Sequence, residues 1–393
     1  MKGSALVLGL VCSAGTQELP PAGRQPPPAL GIVARVVRVD VVVTDKKGRP
    51  VAGLGPADFE VREEGRLQTL THFAFIGRGG TAHSPWPPQA PTPNAPGRSP
   101  DEPAPKALLP ATAPPTRSGR VLLFVVDDLS LASETLLNAR PVLRELVGNL
   151  EPGDRAAIVR TSAPPTRLVL TAESKVLQDE VDGLRWSPRS ERFKTIRPIE
   201  VGKIDMQRLP GYTLEFQREG FRVKDTLGVL DALVSALGAL PDRKAVVLLS
   251  DSLKMEPVGR DLFTRLADTA NRRSVVVYSL DARGVQSLNM AADDYVNIPG
   301  FQEIIRSELD GRGWEYDASQ TGLRELAQAT GGLFLGNTAL PASLRRVLVD
   351  TGGYYLIGYI PEIRGTGAGR LRRVDVKLRT RGERVRARRA YFG

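Results

Sequence analysis

Acidic and hydroxyl residues follow directly after an apolar run in VLLFVVDDLSLASETL (121–136). Asp127, Asp128, Ser130 and Ser133 supply carboxylate and hydroxyl oxygens, which are the ligands that hard divalent cations prefer. The same residue types also end buried strands and cap helices. If the apolar run is a parallel strand, these side chains lie at the edge where open α/β sheets bind ligands. The stretch therefore predicts either a metal site or an ordinary strand end followed by a helix cap.

The middle of the chain alternates strand-like apolar runs with helix-like segments, which predicts a parallel sheet covered on both faces. The predicted helices place their apolar residues at helical spacing. Two segments with few clear periods, at about 186–222 and 286–320, are interpreted as insertions. The predicted strands are 121–126, 156–161, 168–171, 244–252, 274–284 and 331–337, and the predicted helices are 139–149, 173–184, 226–240, 261–271, 322–330 and 341–349.

The two flanks of this region alternate apolar and polar residues, as half-buried strands do. The first flank has strand-like runs at 36–43, around Pro50–Val51, at 58–61 and at 68–75. In the second flank, 354–360 is a predicted strand, and 371–380 with 384–392 predicts a hairpin. Because neither flank is long enough alone, we expect the two to pair into one small β-sandwich.

The predicted fold class is therefore α/β: a doubly wound, mostly parallel, Rossmann-like sheet with a small β-sandwich formed by the N- and C-terminal flanks. Dense Pro and Ala mark the boundaries between these parts. The predicted order is a signal peptide at 1–15, a Pro-rich spacer at 16–33, the first β part at 34–76, a Pro-rich disordered linker at 77–119, the sheet domain at 120–350 and the last β part at 351–393.

The N-terminal segment and the single cysteine bear on the compartment. Cys12 is the one Cys among 393 residues, and it lies in MKGSALVLGLVCSAG, where Lys2 precedes a short apolar core. This pattern predicts a secretory signal. Val11 is too bulky for the position before a lipid-bearing Cys, which disfavours a lipid anchor. We therefore expect an exported, periplasmic or extracellular protein, and no later stretch has the ~20 apolar residues of a membrane span.

Residues for enzyme chemistry are scarce. The chain has 2 histidines, His72 in the first β part and His83 in the linker. A mature chain without Cys excludes a Cys–His pair. The sequence also lacks a Gly-x-Ser-x-Gly elbow, a Walker loop and a dinucleotide-binding glycine motif. We therefore expect no enzymatic activity.

The formal net charge of +10 permits acidic partners. In the C-terminal tail the arginines alternate with Val374, Val376 and Leu378, which predicts that they occupy the solvent face of the hairpin. For an exported chain, an anionic envelope component or an acidic protein is a better partner than nucleic acid. The basic residues of the tail are Arg370, Arg372, Arg373, Arg379, Arg381, Arg384, Arg386, Arg388 and Arg389.

Taken in order, these motifs resemble a von Willebrand factor A (vWA) domain. The flanks VVVTDKKGRPVAGLGPADFEVREEG and TGGYYLIGYIP are similar to those of the vWA-related proteins abundant in acidobacteria. The resemblance covers most of the chain outside the signal, linker and insertions. It rests on the strand end at 126–128, the turn at 151–155, the helix led by Thr226, and the strand ends at 248–251 and 278–281.

The resemblance implies a domain that binds other proteins or surfaces, in many members through a metal-ion-dependent adhesion site, usually with Mg²⁺. That site takes an Asp-x-Ser-x-Ser loop, a Thr from a second loop and an Asp after the fourth strand. Here the loop that starts at Asp128 has Ala132 in place of the second Ser, and Ser133 comes one residue late. Starting from Asp127 puts leucines at both hydroxyl positions. The implied ligands are Asp128, Ser130, Ser133, Thr226 and Asp251.

Each implied ligand also has a structural interpretation. Asp128 or Ser130 caps the following helix, Thr226 caps its own helix, and Asp251 is a turn residue. Two functions follow from these alternatives. The first is a module that binds a protein or a cell-envelope ligand at the strand ends, with or without Mg²⁺. The second is a metal-free scaffold that uses the β-sandwich and the insertions for its contacts.

Overall fold

The computed structural model describes residues 36–77, 119–186, 200–201, 208–240, 244–255, 257–289, 295–296, 302–361, 371–379, 382–388 and 390–392. The predicted signal peptide, spacer and lipid-anchor position and nearly all of the predicted linker lie outside these residues. The strands are β1 Val37–Thr44, β2 Phe59–Glu63, β3 Arg66–Leu67, β4 Leu70–Gly77, β5 Val121–Val126, β6 Arg155–Arg160, β7 Glu200–Val201, β8 Lys244–Ser250, β9 Val275–Asp281, β10 Tyr295–Val296, β11 Phe334–Leu335, β12 Gly353–Tyr359, β13 Leu371–Leu378, β14 Arg384–Ala387 and β15 Ala390–Phe392. The helices are α1 Ser133–Gly148, α2 Ser174–Asp182, α3 Arg208–Leu237, α4 Arg260–Arg272, α5 Gln302–Thr330 and α6 Leu340–Asp350.

A five-stranded parallel sheet forms the centre of the α/β part, in the order β11-β9-β8-β5-β6. Strand β5, the first of the five in the chain, lies between the second, β6, and the third, β8. The chain therefore leaves β5 in one direction and returns on its other side. The carboxyl ends of β5 and β8 form the topological switch point, where sheets of this order bind ligands.

Helices cover both faces of the parallel sheet, as the alternating pattern predicts. Leu122, Phe124 and Val126 of β5 share a core with α1, α2 and α6. The alternate residues of β5 pack with α3, α4 and α5 on the other face. Successive side chains of a strand point to opposite faces, so a strand buried on both must be apolar throughout. The run VLLFVV meets that requirement, and all six of its residues are buried.

The two flanks pair with each other in two antiparallel sheets. One sheet has the order β14-β1-β12-β4 and the other β15-β13-β2-β3, so both combine strands from the two ends of the described chain. Val41 and Tyr355, from the first sheet, and Phe59, from the second, belong to one hydrophobic core. The expectation that the flanks pair with each other is therefore confirmed.

The predicted C-terminal hairpin is wrong in two respects. Two arginines expected on its solvent face, Arg372 and Arg386, instead pair with the buried Glu63 and Asp350. In addition, the first strand is β13, but the second divides into β14, which pairs with β1, and β15, which pairs with β13. The chain changes sheets at Arg388, whose guanidinium donates to the carbonyls of Asn271 and Arg38. The alternation of apolar and polar residues does not indicate where a chain crosses from one sheet to another.

Two other predicted strands form only single bridges. The run around Pro50 forms the bridge Thr44↔Pro50, and the run at 168–171 forms the bridge Ala156↔Thr171.

Two helices are much longer than predicted. Helix α3 begins at Arg208 and α5 at Gln302, so parts of both predicted insertions are helical. Phe221 and Trp314, one in each of these segments, are exposed large hydrophobic residues. Short strands within the same insertions pair as β7 and β10. Within the described residues, none of the helices combines the length and apolar character needed to cross a membrane.

Candidate functional site

Two buried aspartates meet at the switch point of the parallel sheet. Asp127 follows β5 and Asp251 follows β8, and the amide of Asp127 donates to the carbonyl of Leu249 at 2.9 Å. Their exposed fractions are 1% and 0%. Ionised carboxylates are costly to bury without partners, so the groups around them decide what this edge can do.

Asp127 accepts hydrogen bonds from four side-chain hydroxyls. Its Oδ2 lies 2.8 Å from Ser130 Oγ and 2.8 Å from Ser250 Oγ. Its Oδ1 lies 2.8 Å from Thr161 Oγ1 and 2.9 Å from Thr226 Oγ1. These hydroxyls come from the β5 loop, β8, the end of β6 and α3. Burial raises the pKa of Asp127, although the hydroxyls act in the opposite direction.

Asp128 shares the Thr161 hydroxyl with Asp127, but its other neighbours differ. Thr161 Oγ1 lies 3.2 Å from Asp128 Oδ1. The Asp128 carboxylate accepts the amide of Ser162 at 2.8 Å and the Ser162 hydroxyl at 2.5 Å, and Arg160 lies 3.8 Å away. The residue that accepts the Ser250 hydroxyl of β8 is Asp127, one residue before the predicted Asp128. The predicted ligands therefore do not gather around one point.

Ala132 lacks the hydroxyl that the motif has at this position, but its backbone amide contacts the site. The amide of Ala132 donates to Asp251 Oδ2 at 2.8 Å, and Thr135 Oγ1 donates to the same oxygen at 3.0 Å. Ser133, the expected substitute for the missing hydroxyl, is exposed at the start of α1. Thr226 lies within α3 rather than at its N-terminus. The Thr226 hydroxyl reaches Asp127 from the inner face of that helix.

Two buried polar atoms in the loop after β8 lack hydrogen-bond partners among the described residues. They are Asp251 Oδ1 and Ser252 Oγ. Burial raises the pKa of Asp251 to about 7, while the Ala132 amide, the charge of Arg283 and the Thr135 hydroxyl oppose that rise. A buried acceptor without a donor is rare and calls for an explanation.

A small pocket lies beside this cluster. Asp127, Ser130, Thr226 and Ser252 line it, and Arg222 from α3 contributes to its wall. The cavity measures about 10 Å³. That volume is close to the minimum of about 10–15 Å³ that one water molecule needs. The pocket therefore suits a single small guest rather than an organic cofactor.

The donor set fits a hard divalent cation in type. Mg²⁺ is bound through one or two carboxylates and keeps several waters. The pocket offers hydroxyls of Ser130, Thr226 and Ser252 together with the carboxylate of Asp127, and Asp251 directly precedes the lining residue Ser252. In the part of the chain that the structure describes, no group of three or more His, Cys, Asp or Glu residues is placed to hold a metal. Hydroxyl and water oxygens would therefore have to complete such a site.

Sequence reasoning named Asp127 but preferred Asp128 as the ligand, and it missed Thr161, Ser250 and Thr135 as members of the cluster. A simple signal is shared by Asp127, Thr161 and Ser250, which stand at the carboxyl ends of β5, β6 and β8. Adjacent parallel strands end at one edge, so polar residues at these positions meet. Thr135 has no such signal, because it lies on the inner face of α1.

Comparison with known proteins adds no further constraint. No protein-family model matches the chain, and no curated protein matches it. The functional argument therefore depends on the residues and their geometry.

Proposed function

We propose that this chain is an exported, non-enzymatic protein of the vWA type that binds another macromolecule at the switch-point edge of its parallel sheet. The sheet order and the helices on both faces support this proposal. So does the meeting of Asp127, Ser130, Thr226 and Asp251 at one edge. The partner that suits this edge is a protein or a component of the cell envelope.

The observation that carries the proposal is the open oxygen of Asp251. Asp251 Oδ1 and Ser252 Oγ are buried without partners among the described residues, beside a pocket that hydroxyls line. Leaving a buried polar group unsatisfied costs about 1–3 kcal/mol. In a ligand-binding site this free-energy cost is removed when a bound ligand satisfies the polar group.

Mg²⁺ is the guest that these oxygen donors favour. Asp127, Ser130, Thr226 and Asp251 are the residues that would hold it, directly or through water. When bound, the cation supplies positive charge to which an acidic group of a partner is attracted. Asp251 then has an electrostatic partner for its open oxygen, and the pKa values that burial raises fall again.

The test is a titration of Mg²⁺ or Mn²⁺ into the purified protein, with unfolding temperature as the readout. A cation that binds only the folded state stabilises it by about 2.7 kcal/mol when its concentration is 100 times Kd. We expect saturable stabilisation in the wild type and none in Asp251→Ala. Asp182→Ala, at an exposed carboxylate of α2, is the matched control and should respond like the wild type.

The second function, a metal-free scaffold, has one observation in its favour. Four side-chain hydroxyls already satisfy the Asp127 carboxylate. If millimolar Mg²⁺ and Mn²⁺ leave the unfolding temperature unchanged, the metal-dependent form of the proposal is wrong. Capture of a partner from the source envelope by the wild type and by Asp251→Ala alike would then favour the scaffold.

A further inference from the structure

The loop that carries Asp251 and Ser252 is bound to the middle of helix α5 through its backbone. The amide of Leu253 donates to the carbonyl of Ser319 at 2.8 Å, and the carbonyl of Leu253 accepts the amide of Gly322 at 2.8 Å. The amide of Met255 donates to Thr321 Oγ1 at 3.2 Å. Three hydrogen bonds thus join a short loop to three nearby residues of one helix, Ser319, Thr321 and Gly322.

Helix α5 receives this loop with interior backbone and side-chain groups. The Gly322 amide donates to the Leu253 carbonyl. Thr321 Oγ1, which accepts the Met255 amide, itself donates to the Ala318 carbonyl at 2.8 Å. We refer to residues 318–322 as the α5 junction.

Gly322 permits the close approach. A Cβ atom at this position would lie 2.4 Å from the Leu253 carbonyl oxygen and 2.9 Å from Leu253 Cγ. Glycine weakens a helix interior relative to alanine, so its presence here is explained by the contact. Gly311 and Gly313 of the same helix have open space around a Cβ, with nothing within 4 Å.

The α5 junction and the residues just before it also hold the neighbouring strand end. Gln320 Nε2 donates to Asp281 Oδ2 at 2.6 Å, and the Tyr316 hydroxyl donates to the same oxygen at 3.2 Å. Arg283, which pairs with Asp281, donates to Ser319 Oγ at 3.1 Å. One short segment of α5 therefore contacts the residues that follow both β8 and β9.

We propose that the α5 junction positions Asp251 for ligand binding, with Gly322 as a positioning residue that acts through Leu253 and Thr321 as one that acts through Met255. The inference rests on the proposed function, because it takes Asp251 to be the binding group. Leu253 is two residues from Asp251, so a displaced Leu253 carbonyl moves the carboxylate away from the Ala132 amide. That amide lies on the opposite side of Asp251 from α5, at the start of α1.

The test measures hydrogen–deuterium exchange at the Ala132 amide in the metal-free, full-length protein. Asp251→Ala defines the largest expected increase in the exchange rate, because it removes the acceptor of the Ala132 amide. Gly322→Ala and Thr321→Val should each speed its exchange by about tenfold, the loss expected for one hydrogen bond. Gly313→Ala is the matched control for the first variant, and Thr321→Ser, which keeps the hydroxyl, is the control for the second. Both controls should exchange like the wild type.

The outcomes separate this inference from the proposed function. Wild-type exchange at Ala132 in both Gly322→Ala and Thr321→Val overturns the positioning role, whether or not the protein binds a cation. If Gly322→Ala does not fold, the Thr321→Val and Thr321→Ser pair decides the question. Absence of Mn²⁺ binding by the wild type counts against the metal-dependent function and leaves the exchange test intact. Where Mn²⁺ binds, the two variants should weaken it and Gly313→Ala should not.

Discussion

Asp251 and Asp281 end neighbouring parallel strands, yet their carboxylates are bonded differently. Ser250 and Asp281 are partners in the register of β8 and β9, and both aspartates are fully buried. Asp281 Oδ1 accepts Arg283 Nε at 2.7 Å, and its Oδ2 accepts Arg283, Gln320 and Tyr316. Asp251 Oδ2 accepts two donors, and its Oδ1 accepts none among the described residues.

The difference shows that burial alone does not mark a functional carboxylate. Asp281 is neutralised by a bidentate arginine and has donors on both oxygens, as a structural ion pair requires. Asp251 has the same burial but one open oxygen, so its environment is complete only with a further partner. The two strand ends therefore make opposite predictions for stability and for the response to cations.

The largest effect is expected from Asp281→Asn. The substitution leaves the buried guanidinium of Arg283 without its counter-charge, and breaking a buried pair in this way costs about 3–5 kcal/mol. Urea unfolding should show this as a lower free energy of unfolding. Glu325→Gln, in the exposed pair of Arg260 and Glu325, should cost about 0–1 kcal/mol. Equal losses in the two variants would contradict the structural role of Asp281.

The next effect is a pH dependence that Asp251 contributes to the metal-free protein. Its folded-state pKa of about 7 is above the ordinary aspartate pKa of 3.8, because the carboxyl group is buried. The folded protein therefore binds more protons than the unfolded chain between these values. This contribution is complete below pH 3.8 and is lost as the pH rises through about 7, with a slope of at most about 1.4 kcal/mol per pH unit.

Comparison of the wild type with Asp251→Asn isolates that contribution, since the other carboxylates titrate alike in both proteins. In EDTA, the free energy of unfolding of the variant should rise relative to that of the wild type from pH 4 to pH 8. Saturating Mg²⁺ should reduce the difference in slope, because a bound cation favours the ionised carboxylate of the wild type. A constant difference across the pH range in EDTA would show that Asp251 keeps an ordinary pKa.

The sheet was predictable because its strands are buried on both faces. β5, β8 and β9 are continuous apolar runs, and these runs predict the observed strands to within a few residues. The start of α5 was not predictable in the same way. Its N-terminal part carries the exposed Trp314, which departs from the apolar stripe by which a sequence pattern indicates a helix.

The candidate site was predictable only in its outline. Order along the chain brings Thr226 and Asp251 to one sheet edge, but the choice of Asp127 over Asp128 depends on how the chain turns after β5. The bond from the Ala132 amide to Asp251 has no sequence signal, because every non-proline residue has an amide. For the same reason, the contact of Leu253 with Gly322 requires the folded chain.

The smallest effects are expected from removing one hydroxyl at each carboxylate. Thr135→Val removes a donor from Asp251, and Tyr316→Phe removes a donor from Asp281. Each loss should lower the free energy of unfolding by about 1 kcal/mol, the net value of one hydrogen bond.

The two variants should nevertheless differ in their Mg²⁺ response. Under the proposed function Asp251 binds the cation, so Thr135→Val should show a smaller Mg²⁺-induced rise in unfolding temperature than the wild type. Tyr316→Phe leaves Arg283 and Gln320 on Asp281, so its rise should be unchanged. If both variants lose the response equally, the two strand ends act as one unit, and the contrast between Asp251 and Asp281 is wrong.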